Sequence, residues 1–372
     1  MDKQEMTLDW GREQIFEIVY QLEKRLFGVR MPIIRVLIGF LSSIPYSQGG
    51  HKVLGRGHVL LKAAPGFGKT DMMQGIAHTI STKYSFMVGQ PETKISELVG
   101  ADEYEVGSGR YFFRRGRVFT NILLYDEINR THPKAQAALL QAMEERFIPV
   151  GVHNTETGEI EEKIFPLFPI SKEADEKRMM FWVVASGNPF EQEGTYPIPE
   201  AQLDRFAVCL DIDLPSEENE EKIRLENVYA KEGGPQIETV MDPATFLDIA
   251  QMVVERVKFG KENGQYMGRI IHNSRPRPKR RRYAKKSLLD RIDAYVKAGL
   301  SPRANFHFQA VSRTIAFMNG KDFVSVDDIK EAARLVMPHR ILLEPKARGK
   351  VKQHDLVEEI LENTETPPWT SR

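Results

Sequence analysis

Two short segments constrain this chain more than anything else in it. The first is Ala63-Ala64-Pro65-Gly66-Phe67-Gly68-Lys69-Thr70, directly after the apolar run His58-Val59-Leu60-Leu61. The second is Ile122-Leu123-Leu124-Tyr125-Asp126-Glu127. Glycines after a strand let backbone N–H groups turn inward and cradle a phosphate. A following lysine can reach the β- and γ-phosphates, a following hydroxyl can bind Mg²⁺, and the next helix offers its positive end to the anion. Gly66, Gly68, Lys69 and Thr70 suit those roles, with Pro65 and Phe67 completing the loop. Ala63 departs from the pattern: it stands where such loops have their first glycine, and a Cβ there could crowd the turn, but the other elements are intact and binding is expected to survive, if weakened. Taken alone, the segment also fits a surface turn before a helix.

The second segment sharpens this reading. Four apolar or aromatic residues put Asp126 at the carboxyl end of a strand, where open α/β sheets bind their ligands. Asp126 can hold the Mg²⁺ shell, and Glu127 can polarise an attacking water as general base. On its own this is also an acidic strand end entering a helix. Both segments, in this order and on strand ends, favour a machine driven by a nucleoside triphosphate.

The rest of the sequence sets the frame. With 372 residues, two domains are expected, and 41% hydrophobic residues suffice for a real core. Lys+Arg and Asp+Glu balance at 52 each, so no net field draws the chain to nucleic acid or an anionic membrane. One cysteine, Cys209, allows no intrachain disulfide and suits a cytoplasmic protein. The first residues lack the order of a signal peptide, and the apolar stretch Val36–Leu41 is far too short to span a bilayer. A soluble protein without a membrane anchor is expected.

Apolar positions at helical spacing predict a helix over 14–26. Strands are predicted at His58–Lys62, Tyr84–Val88, Asn121–Asp126, Phe181–Ser186 and Ala207–Ile212. Helices between them argue for a parallel sheet covered on both faces. A helix is expected from about Pro133 to Arg146, then an insertion. Pro215-Ser216 before Glu217-Glu218 marks a boundary, with Ser216 as N-cap. The pattern beyond it is helical, without convincing strands. The expected division is an N-terminal helical segment (1–26), an α/β core (27–214, with a hairpin insertion at about 148–178), an all-helical domain (215–345) and a charged tail (346–372).

With these motifs placed, the chain resembles the AAA+ ATPases, and within them the MoxR family. Asp126-Glu127-Ile128-Asn129-Arg130, Lys134-Ala135-Gln136 and Leu139–Arg146 carry the resemblance around the second motif. Ser186–Pro197, Pro199–Phe206, Leu300–Ala304 and Asp322–Asp328 carry it further along. The resemblance implies an AAA+ P-loop core with a small all-helical lid, and hydrolysis of ATP with Mg²⁺. It implies that Asn188 is the sensor-1 residue that places the attacking water, that Arg205 is an arginine finger given to a neighbouring subunit, and that Arg303 is the sensor-2 arginine reaching back to the phosphates. Arg146 is a second arginine that could face that interface. Without the family, Asn188 is a turn residue before Pro189, Arg205 a partner for Asp204 or Glu200, and Arg303 a surface charge at a helix start. The resemblance further implies a homo-oligomeric ring, expected to be a hexamer.

Three readings of function follow. In the first, the ring remodels a protein client during assembly, maturation or metal-cofactor insertion of a complex, with a partner bearing a von Willebrand factor A domain. In the second it is a nucleic-acid motor, because helicases of the same branch share its two insertions, Val99–Phe113 and 148–178. The basic run 275–286, with eight Lys/Arg and two prolines, would contact phosphates through a salt-dependent term, or stand as a solvated loop, or dock an acidic partner. In the third, prompted by Ala63, it is a nucleotide-bound scaffold that does not turn over. The acidic, apolar insertion 148–178 suits a protein client better than a phosphate backbone, and it also reads as a solvated loop on its own domain.

Overall fold

The structure is a computed structural model. It describes residues 6–367, apart from 43, 49–50, 56, 64–65, 67, 155–158, 168–179, 188–195, 197, 213–214, 227–235, 277–283 and 348. Five parallel strands form the centre: β1 (Val59–Ala63), β2 (Tyr84–Val88), β3 (Ile122–Asp126), β4 (Trp182–Gly187) and β5 (Val208–Ile212). Their order is β5-β1-β4-β3-β2. They match the predicted strands to within one residue. Their near-continuous apolar runs are what a sheet buried on both faces requires.

Strand alternation splits these runs between two cores. Ile122 and Leu124, Trp182 and Val184, and Val59 and Leu61 face one cluster of buried residues. Leu123 and Tyr125, Val183 and Ala185, and Leu60 face the other. On the first face lie α1 (Leu8–Glu23), α2 (Arg30–Leu41) and α3 (Lys69–Thr79), and on the second α4 (Pro133–Glu145). Thr7 caps α1 by accepting a hydrogen bond from the Trp10 N–H at 3.1 Å. α1 buries Ile15, Ile18, Val19 and Leu22, so the N-terminal segment is part of the first core.

α5 (Glu217–Glu226) follows the sheet; Ser216 Oγ there accepts from the Asn219 side-chain amide. Two short helical turns, Ile95–Val99 and Glu200–Leu203, lie within the α/β part. The α-helices that follow α5 among the described residues are α6 (Pro243–Arg256), α7 (Lys261–Asn273), α8 (Lys286–Tyr295), α9 (Ala304–Met318), α10 (Val326–Val336) and α11 (Gln353–Asn363). They share the first core with the sheet. Trp182 of β4 stacks on Phe40 of α2 at 4.6 Å and meets Phe246 of α6 edge-on at 5.4 Å. Two sequence expectations change here. A short antiparallel pair, Val296–Ala298 with Leu342–Leu343, lies in the region read as purely helical. It is too short for its alternation to register. The segment read as a charged tail contains α11, whose Leu356, Val357, Ile360 and Leu361 are buried.

Three hairpins project from this body: Ile44–Gln48 with His51–Gly55, Gly100–Glu105 with Arg110–Arg115, and Phe147–His153 with Ile160–Pro166. The second and third fall in the two expected insertions, and they are clasped together. Phe113 stacks on Phe165 at 4.3 Å and Tyr111 on His153 at 4.1 Å. The buried Asp102 carboxylate accepts from both the backbone N–H and the Nδ1 of His153 at 2.8 Å.

Candidate active site

The loop between β1 and α3 bends where glycine is needed. Gly66 has φ +88° and Gly68 φ +63°, and a Cβ at either position would meet no atom within 4 Å. The backbone there is left-handed and the space beside it is open, as a phosphate cradle requires. Ala64, Pro65 and Phe67 lie outside the described residues; Ala63 is the last residue of β1. α3 starts at Lys69, with Thr70 exposed at its first turn.

The Lys69 side chain is nearly buried, and its Nζ donates to Asp126 Oδ1 at 2.8 Å. Nζ also lies 3.4 Å from Ser186 Oγ. Ser186 Oγ donates in turn to Asp126 Oδ1 and accepts from the Glu127 N–H at 3.3 Å. One hydroxyl therefore touches the lysine, the aspartate and the backbone of the glutamate. Its place follows from the sheet order. β4 lies between β1 and β3, and its carboxyl end brings Ser186 level with both motifs. Sequence reasoning passed over Ser186 in favour of Asn188, which lies outside the described residues. The available signal was a polar residue closing the apolar run Val183-Val184-Ala185.

Glu127 has a left-handed backbone, φ +52° and ψ +44°. That conformation is uncommon for a non-glycine residue and is found at sites where the surrounding structure holds it. Its carboxylate meets Arg130 Nε at 3.2 Å. Gly89, at the end of β2, closes the other side: a Cβ there would come within 2.4 Å of Glu127 O.

Arg205 and Arg303 are brought together, but elsewhere. Arg303 Nη1 lies 3.0 Å from Glu144 Oε2 and Arg205 Nε 3.8 Å from the same oxygen. Glu144 is in the last turn of α4, whose Met143 carbonyl meets the His58 ring just before β1. Arg205 precedes Ala207, whose N–H donates to His58 O at 2.8 Å. Both arginines are thus at the amino ends of the strands. Lys69 and Asp126 are at the carboxyl ends, a five-residue strand away, or roughly 16 Å. This differs from the expectation that Arg303 reaches back to its own phosphate loop. The two arginines, with Gln202, Asp204, Ser301 and Pro302, line a cleft of about 540 Å³. Arg146, read from the sequence as an arginine that could face an interface, is only 1% exposed and caps α4 with φ +60°.

A buried joint holds the Arg205 segment. Arg340 Nε donates to Asp204 Oδ1 at 2.7 Å, and its other nitrogens donate to the carbonyls of Asp204, Phe206 and Val336. Ser301 Oγ donates to Asp204 Oδ2 at 2.6 Å. Burial lowers the Arg340 pKa, and the Asp204 carboxylate offsets only part of that cost.

The donor set fits Mg²⁺ bound together with phosphate. Among the described residues no cluster of three His, Cys, Asp or Glu side chains could hold a metal by itself. Mg²⁺ usually takes one or two carboxylates or hydroxyls and fills its remaining positions with phosphate oxygens and water. Thr70 and Asp126 supply that kind of partial shell.

Comparison with known proteins follows the same outline. Residues 58–208 match the family described as ATPase family associated with various cellular activities (AAA), and residues 289–360 match the AAA lid domain. The uncharacterised protein YeaC of Bacillus subtilis is 32% identical over 85% of this chain and 87% of its own length. Chaperone MoxR1 of Mycobacterium tuberculosis is 28% identical over 90% of this chain and 78% of its own. A crystal structure of a candidate ATPase from Cytophaga hutchinsonii superposes with a TM-score of 0.79, at 27% identity, over 97% of both chains.

Proposed function

This chain belongs to the MoxR-type AAA ATPases and hydrolyses ATP, and from that premise we propose that it works as a homo-oligomeric ring, a hexamer, that remodels a protein client. The client is a complex under assembly, maturation or metal-cofactor insertion, reached with a partner bearing a von Willebrand factor A domain. The setting is the cytoplasm, in keeping with the single, buried Cys209. Among the described residues no helix is long and apolar enough to cross a membrane.

One observation carries the ring. Within a chain, Arg205 and Arg303 share Glu144 at the opposite end of the sheet from Lys69 and Asp126. A site that needs a guanidinium on the γ-phosphate must take it from another copy. The cleft between Arg205 and Arg303 is the face a neighbour would meet, and both arginines then serve in trans.

The chain's own residues would act as follows. Backbone N–H groups from Gly66 to Thr70 cradle the phosphates. Lys69 leaves its pairing with Asp126 for a phosphate oxygen. Mg²⁺ held at Thr70 and Asp126 supplies charge neutralisation. Asn188 orients the water. Glu127 takes a proton from that water as its oxygen attacks the γ-phosphorus, and the bond to the bridging oxygen breaks to release ADP. Arg205 and Arg303 of the adjoining copy offset the charge of the transferring phosphoryl group.

Mixing experiments test this. Lys69→Ala and Arg205→Ala should each abolish turnover in a pure preparation. Mixed in equal amounts, they should regain about a quarter of wild-type turnover, because a quarter of neighbouring pairs join an intact loop to an intact arginine. A mixture as inactive as its components would mean that each chain completes its own site.

A further inference from the structure

The open edge of the central sheet has the features of a strand-docking site. Among the described residues β2 is the last strand, paired only with β3 and in unbroken register from Tyr84/Ile122 to Val88/Asp126. In a parallel ladder, alternate residues turn both backbone groups to the same side. Lys83 O accepts from Ile122 N–H and Gly89 N–H donates to Asp126 O, so the odd-numbered residues face β3. The N–H and C=O groups of Tyr84, Phe86 and Val88 face the open side.

Natural sheets blunt such edges with charge, proline, bulges or a covering element. Tyr84-Ser85-Phe86-Met87-Val88 has no charge and no proline, and its ladder has no bulge. Phe86 and Val88 are each 37% exposed. The edge lies along a groove of about 910 Å³. Its rim is basic: Lys83, Lys94, Arg114, Arg115 and Arg117 line it and all are exposed, against Glu92 and Glu97. Arg114 pairs with Glu103 at 2.8 Å, and Arg115 also lies over the Phe119 ring. Lys83, Lys94 and Arg117 have no ion-pair partner among the described residues.

We propose that this groove binds an extended, acidic segment of a partner polypeptide, which adds to the sheet beside β2 as a sixth strand. Main-chain hydrogen bonds to Phe86 and Val88 supply affinity. Alternate apolar side chains on the incoming strand cover Phe86 and Val88, and its carboxylates meet the basic rim. The groove differs in place and chemistry from the phosphate loop, so the inference goes beyond the ATPase reading and does not rest on it.

The test uses the full chain without nucleotide and a short fluorescein-labelled peptide of alternating valine and glutamate. Its anisotropy should saturate, and amide exchange at Phe86 and Val88 should slow in the complex. A serine–glutamate peptide, or the valine–glutamate peptide with an Arg115→Glu/Arg117→Glu variant, should bind at least about tenfold more weakly, which is about 1.4 kcal/mol. The melting temperature of that variant checks its fold, and the exchange measurement on the unmodified chain stands without it. The proposal is overturned by no saturation, by unchanged exchange at 84–88, or by equal binding of a valine–lysine peptide. A Phe86→Arg substitution that changes the oligomeric state would also overturn it, because the edge would then be a contact between copies.

Discussion

Ser186 is the residue through which the site can be probed most finely. Its hydroxyl touches Lys69, Asp126 and the Glu127 N–H, yet it carries no charge and removes little volume. Ser186→Ala should lower kcat about tenfold or more, since hydrogen bonds to charged groups are worth about 1.5–3 kcal/mol. Phosphate release at saturating ATP reads this, and nucleotide binding by the variant should stay close to wild type. Glu127→Gln keeps the shape and the left-handed backbone but loses the proposed base, so hydrolysis should drop by about 10²–10⁴-fold while ATP still binds. A Glu127→Gln protein with normal turnover would remove Glu127 from the chemistry. That Lys69 opens the helix after the glycine loop and that Asp126 closes its strand were legible in the sequence because each motif is local: a few consecutive residues set the loop and the strand end. Ser186 was not, because only the sheet order brings its hydroxyl beside the other two motifs.

At the scale of elements, the strands were legible because runs such as Ile122–Tyr125 are short, apolar throughout and separated by helical patterns, although Val36–Leu41 of α2 shows that a buried helix can carry an equally apolar run. One helix end is fixed by its own side chains. α10 begins with Ser325 and Asp328 in a reciprocal box, and the Asp328 carboxylate also accepts from Lys321 at 3.0 Å and from Asn319 at 3.0 Å. Burial alone would raise the Asp328 pKa, but its bonds to Ser325, Asn319 and Lys321 outweigh burial and hold it below the usual range. A lowered carboxylate pKa stabilises the fold above the unfolded value, about 3.9, and loses that stability as pH falls through the folded one. Asp328→Ala should cost at least about 2 kcal/mol at neutral pH, and denaturant unfolding should find it. The clasp between the two hairpins was not legible. Tyr111 and His153 are far apart in sequence, and nothing local marks either ring as a stacking partner.

For the whole molecule, the seam beneath the helical half sets the response to acid. Burial, and then the Arg340 charge, hold the His339 pKa well below its ordinary value. The folded chain keeps this imidazole neutral, while the unfolded chain protonates it near about pH 6.5. Its contribution is therefore complete above about pH 6.5 and is lost as pH falls below it. Melting temperatures between about pH 8 and about pH 5.5 should fall for wild type, and fall less for His339→Gln. An equal slope in both would assign the loss to other groups. The helical half was legible as helices but not as part of a common interior, because that depends on Phe40, Trp182 and Phe246 meeting from three distant stretches of chain. This shared interior limits how the molecule can move. Closing the helical half over its own sheet like a jaw would pull Phe246 from Trp182 and open apolar surface to water. A copy that keeps this interior closed moves as one block, and in the proposed ring the strokes of an ATP cycle then belong to the joints between blocks, as in a chain of links rather than in a hinge.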